Sequence, residues 1–243
     1  EAMELHLYQS AKKIVVVTDA FKNYLQSKGI DGAKVEVIKN GVDLGRLRPK
    51  EKDPFLLNKY QLNGKFVVSY IGTHGMAHAL DFILDCAAEE TNPSIHFILQ
   101  GDGAEKQNLI EKAKTLNLNN VTFLPFVSKA EIKNYISLAD VALVNLKRSD
   151  TFKSVIPSKI FENACMLKPI LLGVEGESKE IIDNYHAGIT FTPENKISFH
   201  KALNALMNPI SYTKFQNGCK KLTEDFNRLK LANDMLITLK EIK

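Results

Sequence analysis

The residues best suited to chemistry lie close together, at Pro157, Ser158, Lys159 and Glu162. They open a stretch in which Ile160, Phe161, Ala164 and Leu167 recur at helical spacing, and Pro169 ends it before the apolar run Ile170-Leu171-Leu172. Pro157 suits a first helical turn because its missing N–H is no loss there. Ser158 and Lys159 stand where free backbone N–H groups and the helix dipole favour an anion. Such a start can seat a phosphate. Glu162, one turn further on, is placed to accept hydrogen bonds from a sugar hydroxyl while Lys159 faces the phosphate. The same residues also fit a plain helix start with Glu162 on a solvated face, so this stretch alone leaves both readings open.

Three other loops follow apolar runs and carry candidate residues. Gly72-Thr73-His74-Gly75-Met76-Ala77-His78 has glycines that let backbone approach a ligand, and it leads into a helix; a plain turn is the alternative. Gly101-Asp102-Gly103 also opens a helix, but Lys106 stands where a dinucleotide fingerprint needs its third glycine, so that fingerprint is rejected. In Pro125-Phe126-Val127-Ser128, Phe126 either packs on a ligand ring or belongs to the core. His6, His96, His186 and His200 are scattered without ligand-like spacing and read as structural. No Ser-His-Asp set or partnered cysteine nucleophile can be assembled, so the catalytic group stays unknown.

These loops need strands and helices to hold them, and the chain provides both in alternation. Runs at Phe66 to Ile71, Ile95 to Leu99, Val121 to Leu124, Val141 to Leu146, Ile170 to Leu172 and Gly188 to Phe191 read as strands. Helical patterns fall between them, at Ala77 to Glu90, Ala104 to Leu116, Lys129 to Ser137 and Ser178 to Asn184. Two more, from Ile197 to Met207 and from Tyr212 to the end, close the unit. Apolar strands alternating with helices specify an α/β fold with a doubly wound, Rossmann-like parallel sheet. Ligands of such sheets sit beyond the carboxyl ends of the strands, where the candidate loops are.

Residues 1–50 stand apart. Ile14 to Val17 and Val35 to Ile38 are buried-type strands around a helix from Phe21 to Lys28, and a polar linker follows. Two parallel strands with one helix leave edges uncovered, as in the tail of a larger sheet. We therefore divide the chain into 1–50, the tail of an amino-terminal domain plus linker, and 51–243, the main domain. Composition is ordinary for a globular protein, at 44% hydrophobic and 25% charged residues, with a net charge of +4 that selects no partner class. Cys86, Cys165 and Cys219 are odd in number and widely spaced, which predicts free thiols and a reducing cytoplasm. No apolar run approaches the roughly 18 residues of a membrane span, so any membrane contact would be peripheral.

Pro-Ser-Lys-Ile-Phe-Glu at 157–162, followed by Ala164 and Lys168-Pro169-Ile170, resembles the nucleotide-sugar signature in the donor domain of GT-B glycosyltransferases of family 4, the bacterial O-antigen and capsule type. Ala-x-x-Ile-Val-Val-Val-Thr and Lys-Val-x-Val-Ile-Lys-Asn-Gly-Val-Asp near the start are similar to the last βαβ of that family's amino-terminal domain. The resemblance implies a carboxy-terminal donor portion of a longer enzyme. Gly72, Thr73, His78, Pro157, Ser158 and Lys159 would lie at the donor diphosphate, Glu162 at the ribose, Phe126 and Val127 at the base, and Gly101 and Gly103 along the cleft. Two departures stand out. Thr73 and His78 occupy the places of an arginine and a lysine, and Ser154 occupies the place of a glutamate that touches the donor sugar, with Asp150 and Lys153 nearby. The His74 to His78 loop looks like that of N-acetyl-fucosaminyl transferases, which implies a UDP-aminosugar donor and a lipid-linked glycan acceptor bound through the rest of the enzyme. The resemblance implies no cofactor beyond the substrate nucleotide, no nucleic acid and, without an Asp-x-Asp motif, no metal. A sugar-nucleotide epimerase of the same architecture is the rival reading. A noncatalytic receiver-like module is a second, but Ile71-Gly72-Thr73 lacks the acidic residues that it requires.

Overall fold

The computed structural model describes residues 2–242. Residues near the start form helix α1 (Ala2–Ser10), strand β1 (Ile14–Val16), helix α2 (Asp19–Ser27) and strand β2 (Val35–Val37). β1 and β2 pair in parallel as a two-stranded sheet, with Ile14 opposite Val35, and Leu25 of α2 packs with Ile14, Val16, Ile30 and Val35 beneath it. Thr18 caps α2, its Oγ1 accepting from the Phe21 N–H at 3.1 Å.

After a linker and the short helix α3 (Pro54–Lys59), β3 (Phe66–Ile71) begins the strand–helix alternation. Next come α4 (Leu80–Glu89), β4 (Ile95–Gln100), α5 (Lys106–Thr115), β5 (Val121–Leu124), α6 (Ile132–Leu138) and β6 (Val141–Asn145). α7 (Lys159–Cys165), β7 (Ile170–Gly173), α8 (Glu177–Tyr185), β8 (Gly188–Thr190) and α9 (Lys196–Leu206) complete the unit. The six strands run parallel in the order β5-β4-β3-β6-β7-β8. The chain winds outward from β3 in one direction and then returns to its other side, so the topology switches between β3 and β6. Those two strands pair only at Val68 with Val141 and Ser69 with Ala142. Their carboxyl ends therefore part, and a crevice opens there.

Because the central strands β3, β4, β6 and β7 are buried on both faces, apolar residues run almost continuously through them. Val68, Phe97, Leu99 and Leu143 pack under Ile83 of α4, Leu109 of α5 and Phe199 of α9. Ala142, Val144, Ile170 and Leu172 pack under Ile160 and Phe161 of α7 and Ile182 of α8, and Val67, Ile98 and Leu124 extend that face under Leu56 and Leu62. Full burial of each such large side chain stabilises by about 1.5–3 kcal/mol.

The structure moves four helix boundaries. The helix read from Ala77 begins at Leu80, after a 3-10 turn at Met76–His78 and a left-handed Ala79 with φ +43°. Asn145 imposes that break, because its Nδ2 donates to the carbonyls of His78 at 2.9 Å and Ala79 at 3.3 Å. The helix read from Lys129 begins at Ile132, after a turn in which the Ser128 hydroxyl donates to Glu131 Oε2 at 2.7 Å. α7 ends at Cys165, and Leu167 turns left-handed ahead of Pro169. The terminal helix is two, α10 (Pro209–Asp225) and α11 (Arg228–Lys240), because Asn227 caps α11 and bridges to Val42 of the linker. α11 then runs back to the amino-terminal unit, bringing Glu241 within 3.5 Å of Lys13 Nζ.

Candidate functional site

The crevice between β3 and β6 is built from loops that prolong the strand ladder. Gly72 N–H donates to Gln100 O at 2.9 Å, Gly101 N–H to Leu124 O at 3.3 Å, and His74 N–H to Asp102 O at 2.8 Å. The loops after β3, β4 and β5 thus stack side by side. Gly101, at φ +141°, can be nothing larger, since a Cβ would strike the carbonyl of Gly72.

Lys159, at the start of α7, reaches across the crevice. Its ammonium lies 4.1 Å from the centroid of the Tyr70 ring and donates to the Tyr70 hydroxyl at 3.1 Å, while that hydroxyl donates to Thr73 O at 2.7 Å. Gly72 leaves the room for it, because a Cβ there would come within 2.5 Å of Nζ. The ammonium makes no ion pair with any described residue. Burial pulls its pKa down to about 8, and Glu162 only partly opposes that. The Tyr70 ring supplies cation–π attraction without neutralising the charge, and burial holds the tyrosine protonated.

The surroundings are polar and under-bonded. Ser69 Oγ, both ring nitrogens of His74, His78 Nδ1, Gln100 Oε1 and Asn145 Oδ1 are buried without a well-formed hydrogen bond. All but Ser69, which lies within β3, sit at or beyond the carboxyl ends of β3, β4 and β6. Buried polar atoms are ordinarily satisfied, so their convergence marks a ligand site rather than a packed core. Burial lowers His74 to about 4, and Lys106 lowers it further. His78 is likewise lowered by burial and then by Lys159. Both rings are neutral near pH 7, and they flank Tyr70 at 6.0 and 5.7 Å between centroids.

Two cavities continue from this point. One, of about 350 Å³, is lined by Gly72, Thr73, Gln100, Gly101, Phe126 and Val127, among others. A second, of about 290 Å³, shares Phe126, Val127 and Ile132 with it and adds Glu162. Phe126 is 73% exposed at their junction, so it is not a core residue. The structure therefore brings Gly72, Thr73, Gly101, Phe126, Val127 and Glu162 to one trough, with Lys159 packed against Gly72 at its edge.

Other sequence candidates sit differently. His78 faces Tyr70 beside Lys159 rather than the trough wall. Gly103 packs on the backbone of His74. Pro157 is half-buried, and Ser158 is exposed and makes no side-chain cap. α7 has only 7 residues, so the positive charge at its start is the Lys159 ammonium more than a helix dipole. Ser154 is exposed, and its hydroxyl turns back to Thr151 O at 3.1 Å. Asp150 is 94% exposed and paired with Lys153 at 2.7 Å. Sequence reading passed over Tyr70, His74 and Asn145 as site residues, and also the linker residues Asp43 and Arg46 that line the second cavity. The Asn145 side chain at a strand end was the only available signal.

The strand order and the crevice at its switch point define an α/β unit of the GT-B type. Residues 53–221 match the family model described as "Glycosyl transferases group 1", and the chain belongs to that family. Residues 1–46 match the model described as "Glycosyltransferase Family 4". Among solved structures, Anabaena Alr3699/HepE in complex with UDP superposes with a TM-score of 0.86 at 18% identity, over 99% of this chain and 67% of that one. A glycosyltransferase from Rickettsia africae ESF-5 gives 0.81 at 18% identity, over 100% and 67%. By sequence the chain is 26% identical over 174 residues to Bacillus subtilis (strain 168) TuaH, provisionally described as a teichuronic acid biosynthesis glycosyltransferase. That match covers 70% of this chain and 42% of TuaH. The chain spans less than half the length of the curated relatives it matches. No helix among the described residues is long and apolar enough to cross a membrane.

Proposed function

We propose that residues 51–243 bind the nucleoside diphosphate sugar of a glycosyltransferase, and that residues 1–50 end its acceptor-side domain. The two family matches meet in the linker, between 46 and 53, which supports that division. The observation that carries the reading is the Lys159 ammonium, half-buried and without an ion pair, held over Tyr70 against Gly72, with Glu162 on the wall of the adjoining cavity. An ammonium in low-dielectric surroundings without an anion is matched by a diphosphate. Glu162 then accepts from the ribose hydroxyls, and Phe126 and Val127 flank the base. Gly72 and Thr73 bring backbone to the phosphates, with Pro157, Ser158 and the neutral His78 around them.

During transfer the bond from the sugar's anomeric carbon to the diphosphate breaks, and negative charge grows on the departing oxygen. Lys159 stabilises that charge, in a site where the desolvated cation needs no reorganisation. UDP is the favoured nucleotide, since the Anabaena neighbour was solved with UDP. A UDP-aminosugar donor, a lipid-linked surface glycan as acceptor and a cytoplasmic location, peripheral on the membrane, extend the reading; the teichuronic acid relative is in keeping with a surface glycan. The donor sugar would lie toward Ser154. Isothermal titration of UDP against the chain, beside Lys159→Ala and Glu162→Ala, tests the proposal. Saturable binding that both substitutions weaken is expected, and equal behaviour of all three proteins would overturn it.

A further inference from the structure

The second cavity holds more than a ribose requires, and part of its wall comes from outside the main sheet. Asp43 and Arg46 belong to the linker that follows β2, and Arg228 to the start of α11; with Lys129, Glu162 and Phe126 they line the cavity. None of these five charged side chains makes an ion pair with a described residue. We infer that Arg46 is a specificity residue that reads the nucleobase, so that the linker between the two sheets forms one wall of the nucleoside pocket. The inference rests on the donor reading above.

Geometry leaves the base little choice. A diphosphate at Lys159 and Gly72 and a ribose at Glu162 direct the base along the trough, onto Phe126 and Val127, where the two cavities join. An exposed aromatic at that junction is a stacking surface that water covers poorly. Arg46 lines the same cavity from the linker. Its Nη2 donates to Lys129 O at 3.1 Å, which anchors one arm of the guanidinium and leaves other N–H groups free. The linker is firmly placed. The N–H groups of Arg46 and Leu47 both donate to Asp43 O, at 3.1 and 3.2 Å, and Asp43 Oδ1 accepts from Gly45 N–H at 2.8 Å. Leu47 O accepts from Cys165 Sγ at 3.1 Å, which ties the linker to α7, the helix that carries Lys159 and Glu162.

A guanidinium only donates hydrogen bonds. Uracil offers a carbonyl acceptor at C4, where cytosine carries an amino donor, so a guanidinium that meets the C4 substituent favours UDP over CDP. A site that pairs with one of two such analogues rejects the other, whose donor would meet a donor.

The test measures binding of UDP, CDP and inorganic pyrophosphate by calorimetry to the wild-type chain, Arg46→Ala, Arg46→Lys and Lys159→Ala. Arg46 is exposed, so its variants retain the fold, which circular dichroism checks. We expect wild type to prefer UDP over CDP by about tenfold, roughly one charged hydrogen bond. Arg46→Ala should erase the preference, weaken UDP about tenfold and leave pyrophosphate unchanged, with Arg46→Lys between, whereas Lys159→Ala should weaken all three. Unaltered UDP binding by Arg46→Ala, or an equal loss of UDP and pyrophosphate, would overturn the inference while Lys159→Ala still upheld the donor site. Absence of UDP binding in wild type would remove both.

Discussion

Proton linkage at Lys159 gives the sharpest test of the site. In the free protein its ammonium has a pKa of about 8, lowered by burial. Bound to a diphosphate, the same group gains an anionic partner, and its pKa must rise. Binding therefore takes up a proton above pH 8, and UDP affinity should fall about tenfold for each pH unit from 8 toward 10, as linkage requires. Below pH 8 the affinity should be flat down to about 7, beneath which the diphosphate itself begins to protonate near pH 6. The neighbouring groups do not mimic the slope. His74 and His78 are already neutral throughout this range, because burial lowers both. Tyr70 is raised by burial and stays protonated. Fold stability moves the opposite way. Lys159 has a lower pKa folded than unfolded, so between about 8 and the ordinary lysine value the unfolded chain holds more protons, and this group's contribution to stability rises with pH. Loss of affinity through alkaline unfolding can thus be separated from the linkage. The assay is calorimetry from pH 7 to 9.5, in two buffers of different ionisation enthalpy, on wild type and Lys159→Arg. Arginine stays charged in this range, so the variant should show weaker but pH-independent binding. A wild-type affinity that is flat to pH 9.5, or a slope that survives in Lys159→Arg, would refute the assignment of the cation.

Gly72→Ala should weaken UDP binding as Lys159→Ala does and also lower Tm, since the new Cβ meets the end of Lys159 and the backbone at φ +155° strains any side chain; a melting scan beside a titration checks both. Glu162→Gln should lower UDP affinity by about one to two orders of magnitude, the worth of one or two charge-assisted bonds, with pyrophosphate binding unchanged. Glu177 of α8 is buried and accepts from the N–H groups of Asp19 at 3.2 Å and Ala20 at 3.3 Å, and it pairs with Lys39 at 2.7 Å, so it joins the two sheets. Glu177→Ala should cost about 1–2 kcal/mol by leaving two amides without their acceptor, while Lys39 keeps Asp19 at 2.7 Å, seen as faster amide exchange at Asp19 and Ala20. Phe161→Ala should cost about 3–5 kcal/mol by opening a core cavity where its ring stacks on Phe226 at 4.7 Å, read as a lowered urea midpoint.

Much of this protein was legible in its residues alone. Largely apolar runs such as Phe66 to Ile71 and Ile95 to Leu99 announce buried parallel strands, because a strand covered on both faces is apolar at nearly every position. The turn at Gly72 and the Lys159 to Glu162 spacing are equally local, and the alternation of strand and helix follows from them. Boundaries shifted where a distant group intervened, as the Asn145 side chain does at His78 and Ala79 and the Val42 backbone does at Asn227. The partners of Lys159 could not be read in advance. Tyr70 lies 89 positions away and meets it only because β6 inserts beside β3 and α7 starts above that gap. Likewise, Phe126 reads as core or ligand surface until the fold leaves it exposed, and Arg46 as a linker charge until Cys165 binds the linker to α7. Local sequence determines which segments fold into strands and helices, since backbone geometry and burial period act over a few residues. Strand order decides which of their ends meet, and with them the charges and unpaired polar atoms that form a site.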